Sequence, residues 1–145
     1  MEEELPDENS KRFIAILNKK IETGRLMNAI GHATAGLIGG FSNPKEMCFL
    51  QYKDKDGGEH PNISHFPFIV LKADNSNQIR NVRKECIKRN IPFSDFTSSM
   101  IIGTSKQQQD ATLNTSEENL DYYGIVLFYY TKDLKEFTGK FSLFQ

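Results

Sequence analysis

Three side chains able to hold or polarise a substrate recur along one stretch of the sequence. Arg25, Asn28 and His32 stand three and four residues apart, and at about 100° per residue a helix brings this cation, amide and imidazole onto one face. Leu26, Ile30, Ala33 and Leu37 gather on the other side, with Ala29, Gly31, Ala35, Gly36 and Gly39 between the polar residues. Small residues in that place let a ligand, a second copy of the chain or the following loop approach to backbone distance. Thr23 and Gly24 open the same helix, and free N–H groups at its positive end suit a phosphate or carboxylate. Four glycines (Gly24, Gly31, Gly36 and Gly39) each cost a helix on the order of 1 kcal/mol, so such a face asks for a compensating contact.

Other chemistry is thinner. A second helical stretch carries Arg80, Arg83, Lys84, Lys88 and Arg89 against Glu85, a face that could follow a phosphate backbone. His60 and His65 are five apart in a Pro-containing loop and, like His32, lack metal-ligand spacing. Asp54 and Asp56 in Asp-Lys-Asp-Gly-Gly look like the start of a calcium loop, but no glutamate closes it, and the segment reads as a turn. Cys48 and Cys86 are too few for a disulfide framework, which makes a reduced, cytoplasmic compartment the default, and Cys86 falls on an apolar stripe. No metal and no cofactor is expected.

The elements that must position these residues alternate between strand and helix. Phe13 to Leu17 and Phe68 to Leu71 are continuous apolar runs, as strands covered on both faces are. After the first comes a helix from Gly24 to Gly39. After the second comes a helix capped by Asp74 or Ser76, with Ile79, Val82, Cys86 and Ile87 as its apolar stripe and Pro92 beyond its end. Phe93 to Thr97 and Ile125 to Tyr130 supply a third and a fourth strand. Between them lies a Gln-rich insertion, Thr104 to Asn119, with a capping-box pattern at Thr115 to Glu118. Thr131 and Asp133 start a last short helix to about Phe137, and Lys140 to Phe144 runs out extended. Phe41 to Phe66 reads as a long loop turning at Asp56 to Gly58.

Composition bounds the rest. The chain has 145 residues, 38% hydrophobic and 26% charged, which excludes bulk disorder, collagen and coiled coil. The net charge of -1 is unevenly placed, because Glu2, Glu3, Glu4, Asp7 and Glu8 lie ahead of the first Lys or Arg. Without them 18 basic residues face 14 acidic ones, a net of +4. Residues 1–10 therefore read as an acidic flexible leader and 11–145 as one α/β domain, with a mixed sheet of about four strands in two or three layers. Leu26 to Pro44 contains no charged residue, yet its glycines, asparagines and histidine make poor filling for a bilayer; no membrane partner is expected.

The residues just read resemble two families. Ile14 to Leu17 followed by Thr23-Gly24-Arg25-Leu26-Met27-Asn28-Ala29-Ile30-Gly31-His32-Ala33 is similar to the opening of type II peptidyl-tRNA hydrolases, a strand leading to a Gly-Lys-x-Ala-Ala-Gln-x-x-His-Ala helix. Asp95 to Met100 resembles their Asp-Ala-Gly-x-Thr-Gln turn, Gly103-Thr104 their Gly-Ser/Thr step, and Thr138 to Leu143 their closing segment. A closer resemblance, over nearly the whole chain, is to the family known as domain of unknown function 2000. It rests on Leu17 to Lys20, Thr23 to Gly36, Phe41 to Pro44, His60 to Ser64, Pro67 to Gln78, Asp95 to Thr97 and Tyr122 to Gly124.

The first resemblance implies the hydrolase's fold and a set of site residues. Arg25 stands for the helix lysine, and His32, Asp95 and Ser99 fall on the histidine, aspartate and turn threonine, so these four are the catalytic candidates. Thr23, Gly24, Asn28 and Thr97 are the substrate contacts. The helix glutamine falls on Ala29 and a preceding lysine on Thr23, leaving Asn28 as the nearest amide. Asp95 with Ser99 would hold a water while Arg25 stabilises the developing charge. The implied activity is hydrolysis of an ester or amide in a peptidyl or nucleotide-containing substrate such as tRNA. The alternative from another class is a non-catalytic binding module or homodimer using the small-residue face.

Overall fold

The structure, a computed structural model, describes residues 4–145; the first three residues of the acidic leader lie outside it. From Glu4 onward the leader runs to a turn in which the Ser10 amide and hydroxyl both reach the Asp7 carbonyl. His65 Nε2 donates to the Pro6 carbonyl at 2.7 Å.

The expected apolar runs are strands and lie at the centre. Lys11–Asn18 (β1) is buried from Phe13 to Asn18, and Phe68–Ala73 (β4) pairs with it in parallel. Tyr122–Tyr130 (β6), longer than the run Ile125 to Tyr130, lies antiparallel on the other side of β1. Phe93–Thr97 (β5) and Ser142–Leu143 (β7) form the edges, so the sheet has five strands in the order β5-β6-β1-β4-β7. The expected four were short by β7, whose two residues are too few to show an alternation.

Helices cover both faces, giving three layers. Thr23–Gly39 (α1) buries Leu26, Ala29, Ala33 and Leu37 against Phe13, Ala15, Leu17, Phe96 and Val126. Ser76–Arg89 (α2) and Thr131–Thr138 (α4) lie on the opposite face, where Ile79, Val82, Cys86 and Leu134 meet Ile14, Ile16, Ile125 and Leu127. Burial pushes the Cys86 thiol up to about 12, which leaves it an inert core group. Among the described residues no helix is long and apolar enough to cross a membrane. Leu26 to Gly39 belongs to α1, with one buried stripe and an open face, and the chain leaves the helix before Pro44.

Several local expectations are corrected. Asn75, not Asp74 or Ser76, caps α2 through its side chain to the Gln78 amide; Gln78 is occupied with Asp74, and Ser76 receives the Tyr122 amide. Ile87 lies outside the apolar stripe of α2 and is 54% exposed. In the insertion the helix is Ser105–Leu113 (α3), with a capping box between Thr104 and Gln107, whereas Glu117–Asn119 forms a single 3-10 turn. The long loop holds a 3-10 turn at Pro44–Met47 and a two-stranded ribbon, Phe49–Lys53 (β2) with Glu59–Ser64 (β3). Its turn closes where expected, with the Asp54 carboxylate accepting the Asp56 and Gly58 amides and Gly57 at φ +85°.

One glycine is required by close approach. β6 bulges at Tyr123, because Phe96 pairs with Gly124 while Thr97 pairs with Tyr122. A Cβ on Gly124 would stand 2.8 Å from Leu17 Cδ2 and 3.3 Å from the Ile16 carbonyl oxygen. Gly124→Ala is therefore expected to destabilise the protein by about 1–3 kcal/mol, measured by chemical denaturation; an unchanged midpoint would show that the bulge relaxes freely.

Candidate functional site

The start of α1 is open on its solvent side. Glu22 precedes the helix without a side-chain cap, and the first intrahelical bond runs from the Leu26 amide to the Glu22 carbonyl. The amides of Thr23, Gly24 and Arg25 thus have no intrahelical acceptor. Leu26 and Ala29 pin this turn to Phe96 and Tyr123, which turns Arg25 and Asn28 outward. Beyond them runs a groove of about 490 Å³ lined by Glu22, Gly24, Arg25, Asn28, Ile101 and Ile102. Its far wall is the segment just after β5, where Ile101 and Ile102 are 37% and 51% exposed. One turn further along, the His32 ring stacks on Phe96 with centroids 5.7 Å apart and planes 21° from parallel. Cβ atoms placed on Gly31 and Gly39 would meet nothing within 4 Å, so the small-residue strip is open at these two positions.

Ala29 is not part of the open face. It is 1% exposed and packs in the core with Leu26 and Phe96. The position matching the hydrolases' glutamine is here a core position, and Asn28 supplies the amide facing the groove.

Asp95 does not join this group, and the reason is the pleat of β5. Ser94 and Phe96 point toward α1: a Cβ on Gly36 would lie 3.1 Å from Ser94 Oγ, and Phe96 packs on Leu26 and Ala29. Phe93 and Asp95 point the other way, Phe93 into the core under α2 and Asp95 to Arg83 at 3.3 Å. Successive strand residues face opposite sides, so the sheet itself stands between Asp95 and the Arg25–Asn28–His32 face. Burial raises the Asp95 pKa above the usual carboxylate value, and the Arg83 guanidinium offsets part of that. Arg83 also approaches Glu117 at 3.9 Å. Arg80, 9% exposed, donates to Glu117 at 2.9 Å and to the Leu120 carbonyl at 2.6 Å.

Thr97 and Ser99 are used for support. Thr112 Oγ1 donates its one proton to the Gln108 carbonyl at 2.8 Å. The 2.7 Å contact from Ser99 must then be a donation by Ser99, and the 2.7 Å contact between Thr97 and Ser99 a donation by Thr97. This one-way chain ties the end of β5 to α3 and leaves no Ser99 proton for a substrate. The groove walls Glu22, Ile101 and Ile102 are not among the residues expected from the sequence, which places Arg83 on a phosphate-following face rather than beside Asp95. The only local signal was the apolar pair Ile101-Ile102 inside a polar stretch.

The Asp95 environment has a pH consequence. Because its folded pKa lies above the unfolded 3.8, the folded state holds the proton longer, and the carboxyl's contribution to stability falls as pH rises through and above that value. Comparing the thermal midpoints of wild type and Asp95→Asn between about pH 3 and pH 7, the wild type should lose ground to the variant as pH rises. A difference that moves in favour of wild type would mean that the Arg83 pair outweighs burial.

No curated protein matches the sequence. Among solved structures, a protein of unknown function from Agrobacterium tumefaciens is similar at 18% identity, with a TM-score of 0.80 over 94% of this chain and 98% of that one. At that identity the likeness concerns the fold, a mixed five-stranded sheet between helical layers. The sequence matches the family described as Protein of unknown function (DUF2000) over residues 11–145, which takes in every strand and helix described above, and the chain belongs to that family.

Proposed function

We propose that the chain is a binding module for a small nucleotide-containing anion, held in the groove at the start of α1, on a scaffold of the type II peptidyl-tRNA hydrolase kind. The observation that carries this reading is the mixed lining of the groove of about 490 Å³. Arg25, Asn28 and the amides of the first helical turn are donors suited to a phosphate. Glu22 accepts from hydroxyls such as those of a ribose, and the exposed side chains of Ile101 and Ile102 offer an apolar wall for a base. The volume lies within the range of small-molecule sites. The scaffold reading is supported by the order in which the resembling segments fall: the start of α1, the turn after β5, and the step from α4 to β7.

Binding is favoured over hydrolysis because the expected base and hydroxyl lie outside the groove lining. Asp95 faces α2 and is paired with Arg83, and the Ser99 proton is committed to Thr112. Calorimetric titration with adenosine monophosphate should show binding that Arg25→Ala weakens about tenfold, the effect of losing one charge-assisted contact worth about 1.4 kcal/mol. Release of the amino-acid ester from peptidyl-tRNA should run no faster than in buffer. Hydrolysis that disappears in Asp95→Asn would restore the hydrolase reading, and absence of nucleotide binding at millimolar ligand would remove the present one.

A further inference from the structure

Positive charge is concentrated on the two helices that cover the face of the sheet opposite the α1 groove, where Asp95 and Glu117 offset part of it. Residues 76–89 and 131–140, the span of α2 and of α4 with its exit, hold eight Lys and Arg against three Asp and Glu, a net of +5. The other residues hold 10 basic and 16 acidic side chains, a net of -6. Both helices pack on the same core through Ile79, Val82, Cys86 and Leu134. A groove of about 680 Å³ runs between them, with Lys84 and Arg89 on one wall, Lys135, Glu136 and Lys140 on the other, and Phe137 among its lining.

The carboxylates of this groove are already occupied. Arg89 bridges Glu85 at 2.9 Å and Glu136 at 2.6 Å, and its guanidinium lies 4.9 Å from the Phe137 ring centroid. Arg80 and Arg83 are turned toward Glu117 and Asp95. Lys84, Lys135 and Lys140 have no carboxylate partner among the described residues. Lys88, one turn beyond Lys84, is likewise exposed and without an ion-pair partner among them. Of the five cations read from the sequence of α2, Lys84 alone both lines this groove and has no ion pair among the described residues, and α4 and its exit contribute Lys135 and Lys140 along the same groove.

We infer that the groove between α2 and α4 binds the phosphodiester backbone of a single nucleic-acid strand. Lysines on flexible stems, with no free arginine fork beside them, suit a row of phosphates rather than the planar, two-pronged capture of one anion or one base edge. A concave groove follows a strand, while a bilayer surface would need a convex face with apolar side chains to insert; on α2 and α4 the one large exposed apolar residue is Ile87. Binding here is independent of the α1 groove, because the sheet separates the two.

The test is fluorescence anisotropy of a labelled oligouridylate with the full chain at about 50 and about 200 mM salt. Binding should weaken steeply with salt, with a log–log slope of roughly -2 for three contacts to a single strand. The combined Lys84→Gln, Lys135→Gln and Lys140→Gln variant should lose at least about tenfold in affinity and most of that slope. The matching Lys→Arg variant should keep both, and circular dichroism reports whether each variant is folded. Lys53→Gln, on the exposed β2–β3 ribbon, should bind the strand as wild type does. The inference is overturned by no binding at low salt, by wild-type affinity in the folded glutamine variant, or by binding to phosphatidylserine vesicles and not to the oligonucleotide.

Discussion

Two neighbouring strands, β1 and β6, are buried on both faces, and everything else depends on that. A strand so placed sends alternate side chains into two different cores: Ile14, Ile16, Ile125 and Leu127 toward α2 and α4, and Phe13, Ala15, Val126 and Phe128 toward α1. Burying a large apolar side chain contributes on the order of 1.5–3 kcal/mol. A shift of one residue in this register would exchange the two cores and expose both helices' apolar stripes.

The same alternation sorts the polar groups. On β5 it delivers Ser94 and Phe96 to one side and Phe93 and Asp95 to the other. Asp95 therefore meets Arg83, and a half-buried carboxylate with a guanidinium 3.3 Å away is better explained as the anchor of α2 than as a free base. Arg80, Arg83 and Glu117 extend that anchor to the segment before β6. On the α1 face, by contrast, polar groups are left facing water. Arg25 and Asn28 have a groove before them, and the histidine stacks on Phe96 instead of pairing with a carboxylate. The two faces have separate electrostatics because a sheet dense with apolar side chains lies between them.

Much of the fold was legible because the signals were strong and local. The runs Phe13 to Leu17 and Phe68 to Leu71, the apolar stripes Leu26, Ala33, Leu37 and Ile79, Val82, Cys86, and the turn at Asp56 to Gly58 all lie where their periodicity and turn chemistry put them. The misread places are those where two local solutions compete. Asp74, Asn75 and Ser76 can each cap a helix, and which one does depends on Gln78 and the Tyr122 amide, the latter 46 residues away from Ser76. Thr104 and Thr115 both head capping-box patterns, and only the first is followed by enough residues to propagate a helix. The ribbon of β2 and β3 carries Gln51, Lys53, Glu59 and His60, and its mostly exposed strands show no buried alternation to read.

The sequence by itself determined the apolar periods, the open polar face of α1 and the acidic leader, since each is a property of residues close along the chain. Which polar groups share a space was decided by the tertiary structure alone. Arg83 reaches Asp95, Arg89 reaches Glu136, and Ile101 and Ile102 stand opposite Arg25 only after the strands have paired and the helices have been assigned to faces. Such contacts join residues 12 to more than 70 positions apart, and no local pattern encodes them. The pleat of β5, a geometric fact of strand pairing, is what separated the expected aspartate from the expected arginine and left Asp95 outside the α1 groove.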